Sequence, residues 1–239
     1  VLRTKSGARL LSPDRYMEKV EPAPGSWWPT WAKWLEEHSA GLSAFAELLA
    51  DVGVTRGLIG PREVPRLWER HLLNCAVVAD PGVGLIHAGD RVADVCSGAG
   101  LPGLVWAITR PDIVVVLIEP LLRRSTFLSE AIEALGLGAN AQVLRGRAED
   151  VQRDPTWQPV NVVTARAVAP LDRLIGWTVP LLAAGGRLAA LKGSSAQDEV
   201  LEAAAVARTA GLTDLRVVEV GADVVDPPTR VITGVRRAA

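Results

Sequence analysis

The residues that could do chemistry gather in one short run, Asp94-Val-Cys-Ser-Gly-Ala-Gly-Leu-Pro-Gly103, and in an acid that follows it. Gly98, Gly100 and Gly103 spell G-x-G-x-x-G directly after the β-rich segment Arg91–Cys96. Glycine at such a turn lets the backbone approach a ligand closely and aims the N–H groups of the next helix at it. Glu119 closes the following β-rich segment, Ile113–Glu119, about 20 residues beyond the first glycine. A carboxylate there can accept both ribose hydroxyls of an adenosine. Strand, loop, helix, strand and acid stand in register, which points to an adenosine-type cofactor.

Three features favour S-adenosylmethionine over a nicotinamide. Asp94 precedes the glycines in a D-x-x-x-G-x-G arrangement. Paired glycines in Leu182-Ala-Ala-Gly-Gly-Arg-Leu188 lead into a fifth strand. The chain closes on two strand patterns, Asp214–Val220 and Thr229–Val235, joined by a loop too short for a crossover helix, so they should pair as a hairpin. Against a dehydrogenase, the single tyrosine, Tyr16, falls in the tail, and no Tyr-x-x-x-Lys relay exists.

The elements that must position this chemistry follow from periodicity. Beyond Gly89, strands Arg91–Cys96, Ile113–Glu119, Ala141–Leu144, Val160–Thr164 and Arg187–Leu191 alternate with helices ending at Arg110, over Leu122–Leu135, over Leu171–Leu182 and over Ala196–Ala210. That rhythm predicts an α/β fold, a Rossmann-like, mostly parallel seven-stranded sheet with one antiparallel C-terminal strand. The reading divides the chain into a poorly ordered tail (1–26), a helical N-terminal extension (27–88) and a cofactor-binding domain (89–239). Within the extension, Trp27, Trp31 and Trp34 share one helical face, Leu42, Phe45, Leu48 and Leu49 another, and Pro61 opens a further helix. Trp68 and Trp106 are expected in the core.

Composition narrows the partners. The 239 residues are 49% hydrophobic and 22% charged, with 26 Lys and Arg against 27 Asp and Glu. Nucleic-acid binding through bulk charge is thereby excluded, though a local basic patch is not. Two cysteines and three histidines without ligand spacing give neither a disulfide scaffold nor a metal site. No run of about 18 apolar residues suggests a membrane span. A cytoplasmic location is expected.

Five ordered segments resemble the motifs of the bacterial small-subunit rRNA guanine-N7 methyltransferases, the family first called glucose-inhibited division protein B. They are Arg70-His71-Leu-Leu-Asn74, the Asp94–Gly103 run, Arg147-Ala148-Glu149, Ala165-Arg166-Ala167-Val168-Ala169 and Leu191-Lys192-Gly193. The resemblance spans roughly residues 45–235. It implies methyl transfer from S-adenosylmethionine to guanine N7 in the decoding-centre loop of 16S rRNA, by a monomer acting on the RNA or the 30S subunit. It further implies cofactor contacts at Cys96, Gly98, Gly100, Leu101, Glu119, Ala148 and Glu149, with Arg166 near the methionine end and the reaction centre. Arg166 and Lys192 are the catalytic candidates.

Two residues depart from the family pattern: cysteine stands at 96 where glycine is usual, and Asn74 where aspartate is usual. Guanine N7 carries a lone pair and no proton, so no general base is required. Its N7 and O6 are both acceptors, which arginine or lysine reads best. Arg123, Arg124, Arg145, Arg147 and Lys192 all fall where strands leave the sheet, and are the RNA-binding candidates. His71 reads as a hydrogen-bonded structural histidine. A methyltransferase of a protein or small molecule, and a ribosome-binding cofactor sensor without catalysis, remain open from the residues.

Overall fold

The computed structural model describes residues 39–166 and 168–238. The tail, the tryptophan cluster at 27–34 and Ala167 lie outside the described residues.

Seven strands form one sheet: β1 (Arg91–Val95), β2 (Val114–Ile118), β3 (Ala141–Leu144), β4 (Val160–Arg166), β5 (Leu182–Lys192), β6 (Leu212–Val220) and β7 (Thr229–Arg236). Their spatial order is β3-β2-β1-β4-β5-β7-β6. The first five run parallel, and β7 is antiparallel to both β5 and β6. The expected terminal hairpin is therefore present, with β7 slotted inside β6. The central strands are largely apolar, β2 being an unbroken run of Val, Leu and Ile, because both sheet faces are covered.

Alternation within each strand builds two cores. Val92, Val115, Leu117 and Val162 face one apolar cluster, while Ala93, Val116, Ile118 and Val163 face the other. The second cluster is closed by α6 (Leu171–Thr178) and α7 (Ala196–Thr209). The first is closed by α3 (Gly103–Thr109), α4 (Leu122–Ala134) and the N-terminal helical layer. That layer comprises α1, residues 39–55, a 3₁₀ stretch Pro61–Arg66, and α2 (Leu73–Ala79) entered through π-helical turns Leu67–Leu72. Leu42, Phe45, Leu49, Leu67, Trp68, Leu72 and Trp106 are buried together, so the layer and the sheet share one core.

Three elements depart from the periodicity reading. The helix expected from Pro61 onward is wound three ways, because Pro65 has no N–H to continue an α-helix. The short helix α5 (Ala148–Val151) has too few residues to show a period. Strand β5 starts at Leu182, not Arg187, its glycine pair lying beside a register irregularity against Val160 and Val162.

A buried arginine ties the layer to the sheet. The Arg110 side chain is 4% exposed and pairs with Asp112 at 2.8 Å. Its Nη1 also donates to the Ala79 and Ile86 carbonyls, at 2.9 and 3.2 Å. Replacing it leaves buried acceptors unpaired, each costing about 1–3 kcal/mol. Arg110→Met should therefore lower unfolding free energy by about 3 kcal/mol in urea titration, with an unchanged m-value.

Candidate active site

The glycine loop is the hinge between β1 and α3, and each of its residues has a distinct task. Cys96 turns the chain with φ +58°, and Gly98 repeats that left-handed conformation. The Gly98 N–H donates to Glu119 Oε2 at 3.0 Å, and the Leu121 N–H donates to Oε1 at 3.0 Å. The acid at the end of β2 is thus pinned by two backbone donors, and each oxygen keeps acceptor capacity. Gly103 sits against β1 and β2: a Cβ there would lie 2.3 Å from Leu117 and 2.7 Å from Asp94 Oδ2. Its N–H donates to that same Oδ2 at 3.0 Å.

A cleft of about 660 Å³ opens over this loop. Of the residues named from sequence, Cys96, Gly98, Leu101, Glu119, Ala148, Glu149, Arg124, Arg147 and Arg166 line it. Gly100 does not, and serves the turn at φ +88°, closely backed by Leu104. Arg123 and Arg145 are exposed beside the wall, at the start of α4 and after β3. The periodicity and motifs gave no hint of Leu58, Ile59 and Trp177, which complete the apolar lining from the helical layer and α6. Trp157 is far from this cleft. It lies under Arg91 at the amino end of β1, ring centroid 5.3 Å from the guanidinium carbon.

Arg166, the last residue of β4, lines this cleft and also a second one of about 790 Å³. The second carries more cations than acids: Arg66, Arg70, Arg230 and Lys192 line it against Glu69 and Asp226, with Asn74. Arg66 pairs with Glu69, Arg70 with Glu63 and Arg230 with Glu219. The Asp226-Pro-Pro-Thr229 wall of this cleft belongs to the loop that leads into β7. Asn74 fastens that loop: its Oδ1 accepts from the Thr229 hydroxyl at 2.5 Å. Arg166 itself is held from the helical layer. Its Nη2 donates to His71 Nδ1 and to the Arg70 carbonyl at 3.3 Å, and its Nη1 faces the Cys75 sulfur at 3.8 Å.

Lys192 needs a correction of role. The sequence reading set it on RNA, yet its side chain is 7% exposed and its ammonium meets Glu199 at 2.6 Å and the Ala169 carbonyl at 2.5 Å. Burial next to α7 has turned it into a strut for the segment after β4. Among the described residues, no group of His, Cys, Asp and Glu is arranged to hold a metal ion. Among the same residues, no helix is long and apolar enough to cross a membrane.

The family model for rRNA small subunit methyltransferase G matches residues 38–226. The chain belongs to this family. Proteins named ribosomal RNA small subunit methyltransferase G share 52% identity with it in Mycolicibacterium gilvum, over 82% of this chain and 83% of that one. In Salinispora tropica the identity is 56%, over 79% and 78%. Among solved structures, a SAM-dependent O-methyltransferase from Thermotoga maritima matches with a TM-score of 0.53 at 16% identity, over 74% of this chain and 71% of that one. Another, titled a putative S-adenosyl-L-methionine-dependent methyltransferase from Methanococcus maripaludis, matches at 0.53 and 11% identity, over 74% and 92%. These distant likenesses establish the methyltransferase fold.

Within the small subunit methyltransferase G family frame, two groups in the loop are energetically unusual. A side chain at left-handed φ costs about 1–2 kcal/mol, which Cys96 bears and glycine would not. Burial, with the nearby Glu119, Asp94 and Glu149 charges, pushes its thiol up to about 11, so it is not a thiolate at neutral pH. Cys96→Gly should stabilise the protein by about 1 kcal/mol, part of the relief being offset by a freer unfolded chain, and should bind S-adenosylmethionine at least as tightly by calorimetry.

Asp94 is fully buried, and that burial pushes its carboxyl up from 3.8 to about 7, against the pull of the Gly103 N–H. Its Oδ1 has no hydrogen-bond partner. The folded state thus holds this proton more tightly than the unfolded chain, so its contribution falls as pH rises between 3.8 and about 7. The stability difference between wild type and Asp94→Asn should follow that slope in denaturation measured across the pH range.

Proposed function

We propose that the protein transfers a methyl group from S-adenosylmethionine to N7 of a guanine in the decoding-centre loop of 16S rRNA. The observation that carries the reading is Arg166, which borders both the cleft over the glycine loop and a second, arginine-rich one. The first cleft fits the cofactor by its donor set. Glu119, oriented by two N–H groups, offers acceptors for a ribose diol, and Leu101, Ala148 and Ile59 offer apolar walls for a purine. Its volume of about 660 Å³ is in the range of small-molecule sites.

When bound there, S-adenosylmethionine supplies an electrophilic sulfonium methyl. The chain's own residues then have to position and shield. N7 presents a lone pair without a proton, so no side chain has to remove one. That suits this cleft, where Cys96 stays a thiol and His71 is held between two partners. Arg166 donates toward the acceptor edge of guanine or the methionine carboxylate, both of which want a fixed planar fork. Catalysis is chiefly alignment, worth several orders of magnitude in rate when the reacting atoms are well placed. Lys192 and Glu199 keep the segment following β4 in place around that alignment.

The RNA backbone is met by arginines. Arg123, Arg124, Arg145 and Arg147 have no ion-pair partner among the described residues, and they flank the cofactor cleft at the ends of β2 and β3. Cations without internal partners are free to replace phosphate counterions.

Unmethylated 30S subunits, free 16S rRNA and bulk protein incubated with methyl-labelled cofactor test the reading. Label should enter 16S rRNA and be recovered as 7-methylguanosine after nuclease digestion. Label in protein alone would overturn it. Arg124→Ala and Arg147→Ala should each weaken 30S binding and reduce the slope of log affinity against log salt by about 1.

A further inference from the structure

We infer that His71, with Glu63 behind it, is a positioning residue that aims Arg166, and that this is what the helical layer contributes to methyl transfer. The inference rests on the reading of Arg166 given above. The hydrogen-bond polarity allows one arrangement. A guanidinium only donates, so His71 Nδ1, facing Arg166 Nη2, must be the acceptor. The ring proton then sits on Nε2 and is donated to Glu63 Oε2 at 2.9 Å. Carboxylate, imidazole and guanidinium form one directed chain from the 3₁₀ stretch, through the π-helical turns, to the end of β4.

The surroundings keep that chain in one state. Burial and the Arg166 charge lower the His71 pKa below its ordinary value, with the Glu63 hydrogen bond opposing them. Its hydrogen bond to His71 and the Arg70 charge lower that of Glu63. The charged groups facing the ring are thus Glu63 from the 3₁₀ stretch, Arg70 from its own helix and Arg166 from β4. At neutral pH the ring is uncharged and accepts from Arg166. Protonating it would place a second donor and a second positive charge against the guanidinium. The π-helical winding matters too, since such turns project side chains that a regular helix would stagger differently.

The guanidinium has five N–H groups. Those on Nη2 serve His71 and the Arg70 carbonyl. Nε–H and the remaining Nη1–H are left for substrate or cofactor. Removing the acceptor at His71 frees the fork to rotate without removing it.

The test is single-turnover and steady-state methylation of 30S subunits by wild type, His71→Leu, His71→Asn, Arg166→Ala and the double variant His71→Leu/Arg166→Ala. Thermal melting and cofactor calorimetry accompany each. The amide oxygen of asparagine can stand near Nδ1 and carries no titrating proton. His71→Leu should lose about 100-fold in kcat with KM for 30S within about threefold of wild type. His71→Asn should recover to within about tenfold of wild type and should lack the acid limb expected of wild type at a pH below the ordinary histidine value of 6.5. The double variant should be no slower than Arg166→Ala alone, because His71 acts through that arginine.

A normal kcat in His71→Leu beside an inactive Arg166→Ala overturns the positioning role. So does a His71→Asn protein that melts normally yet is as slow as His71→Leu. Full activity of Arg166→Ala overturns instead the reading of the arginine on which the inference rests.

Discussion

The structure depends on one constraint: a guanidinium at the end of a central strand must point into a shared boundary between two clefts. A long, flexible side chain does not do that unaided, since its rotamer entropy is about 2 kcal/mol. Here the Arg70 carbonyl, His71 and the Cys75 sulfur surround Arg166 from the helical layer. The layer's own attachment then becomes a functional matter. Its shared core with the sheet and the buried Arg110 bonds to the Ala79 and Ile86 carbonyls fix where His71 stands.

The cofactor side shows the same economy of backbone and acid. Glu119 and Asp94 are both essentially buried, yet they meet different fates. Glu119 takes an N–H on each oxygen and stays oriented toward the cleft. Asp94 has one N–H and one bare oxygen, and its carboxyl is correspondingly hard to ionise. The first arrangement leaves acceptor capacity on a cleft-lining acid, and the second clamps Gly103 onto the sheet. Cys96 at a left-handed φ is tolerated because the turn is fixed on both sides by those two acids.

Much of this was legible in the residues. The β-branched runs and the G-x-G-x-x-G spacing placed β1, β2, the loop and Glu119, since these depend on local pattern. The terminal hairpin followed from loop length. What failed to show was whatever depended on how the elements pack against one another. Lys192 read as a free cation because no spacing rule reveals that the chain folds Glu199, seven residues on and one helix turn into α7, back against it. His71 read as structural, while its link to Arg166 joins positions 95 residues apart. Leu58, Ile59 and Trp177 carry no motif, and only packing brings them to the cleft wall. The winding of Pro61–Leu72 was hidden because proline position alone does not choose between 3₁₀ and π turns.

On the proposed reading, the planar fork of Arg166, and not merely its charge, aligns the methyl transfer. The most direct test is the single-turnover rate of Arg166→Lys on 30S subunits with S-adenosylmethionine saturating. Lysine keeps the charge but cannot hold His71 Nδ1 and the Arg70 carbonyl while presenting further N–H groups in one plane. A fall of about 100-fold in rate is expected, with calorimetric cofactor affinity retained. A rate equal to that of wild type would contradict it.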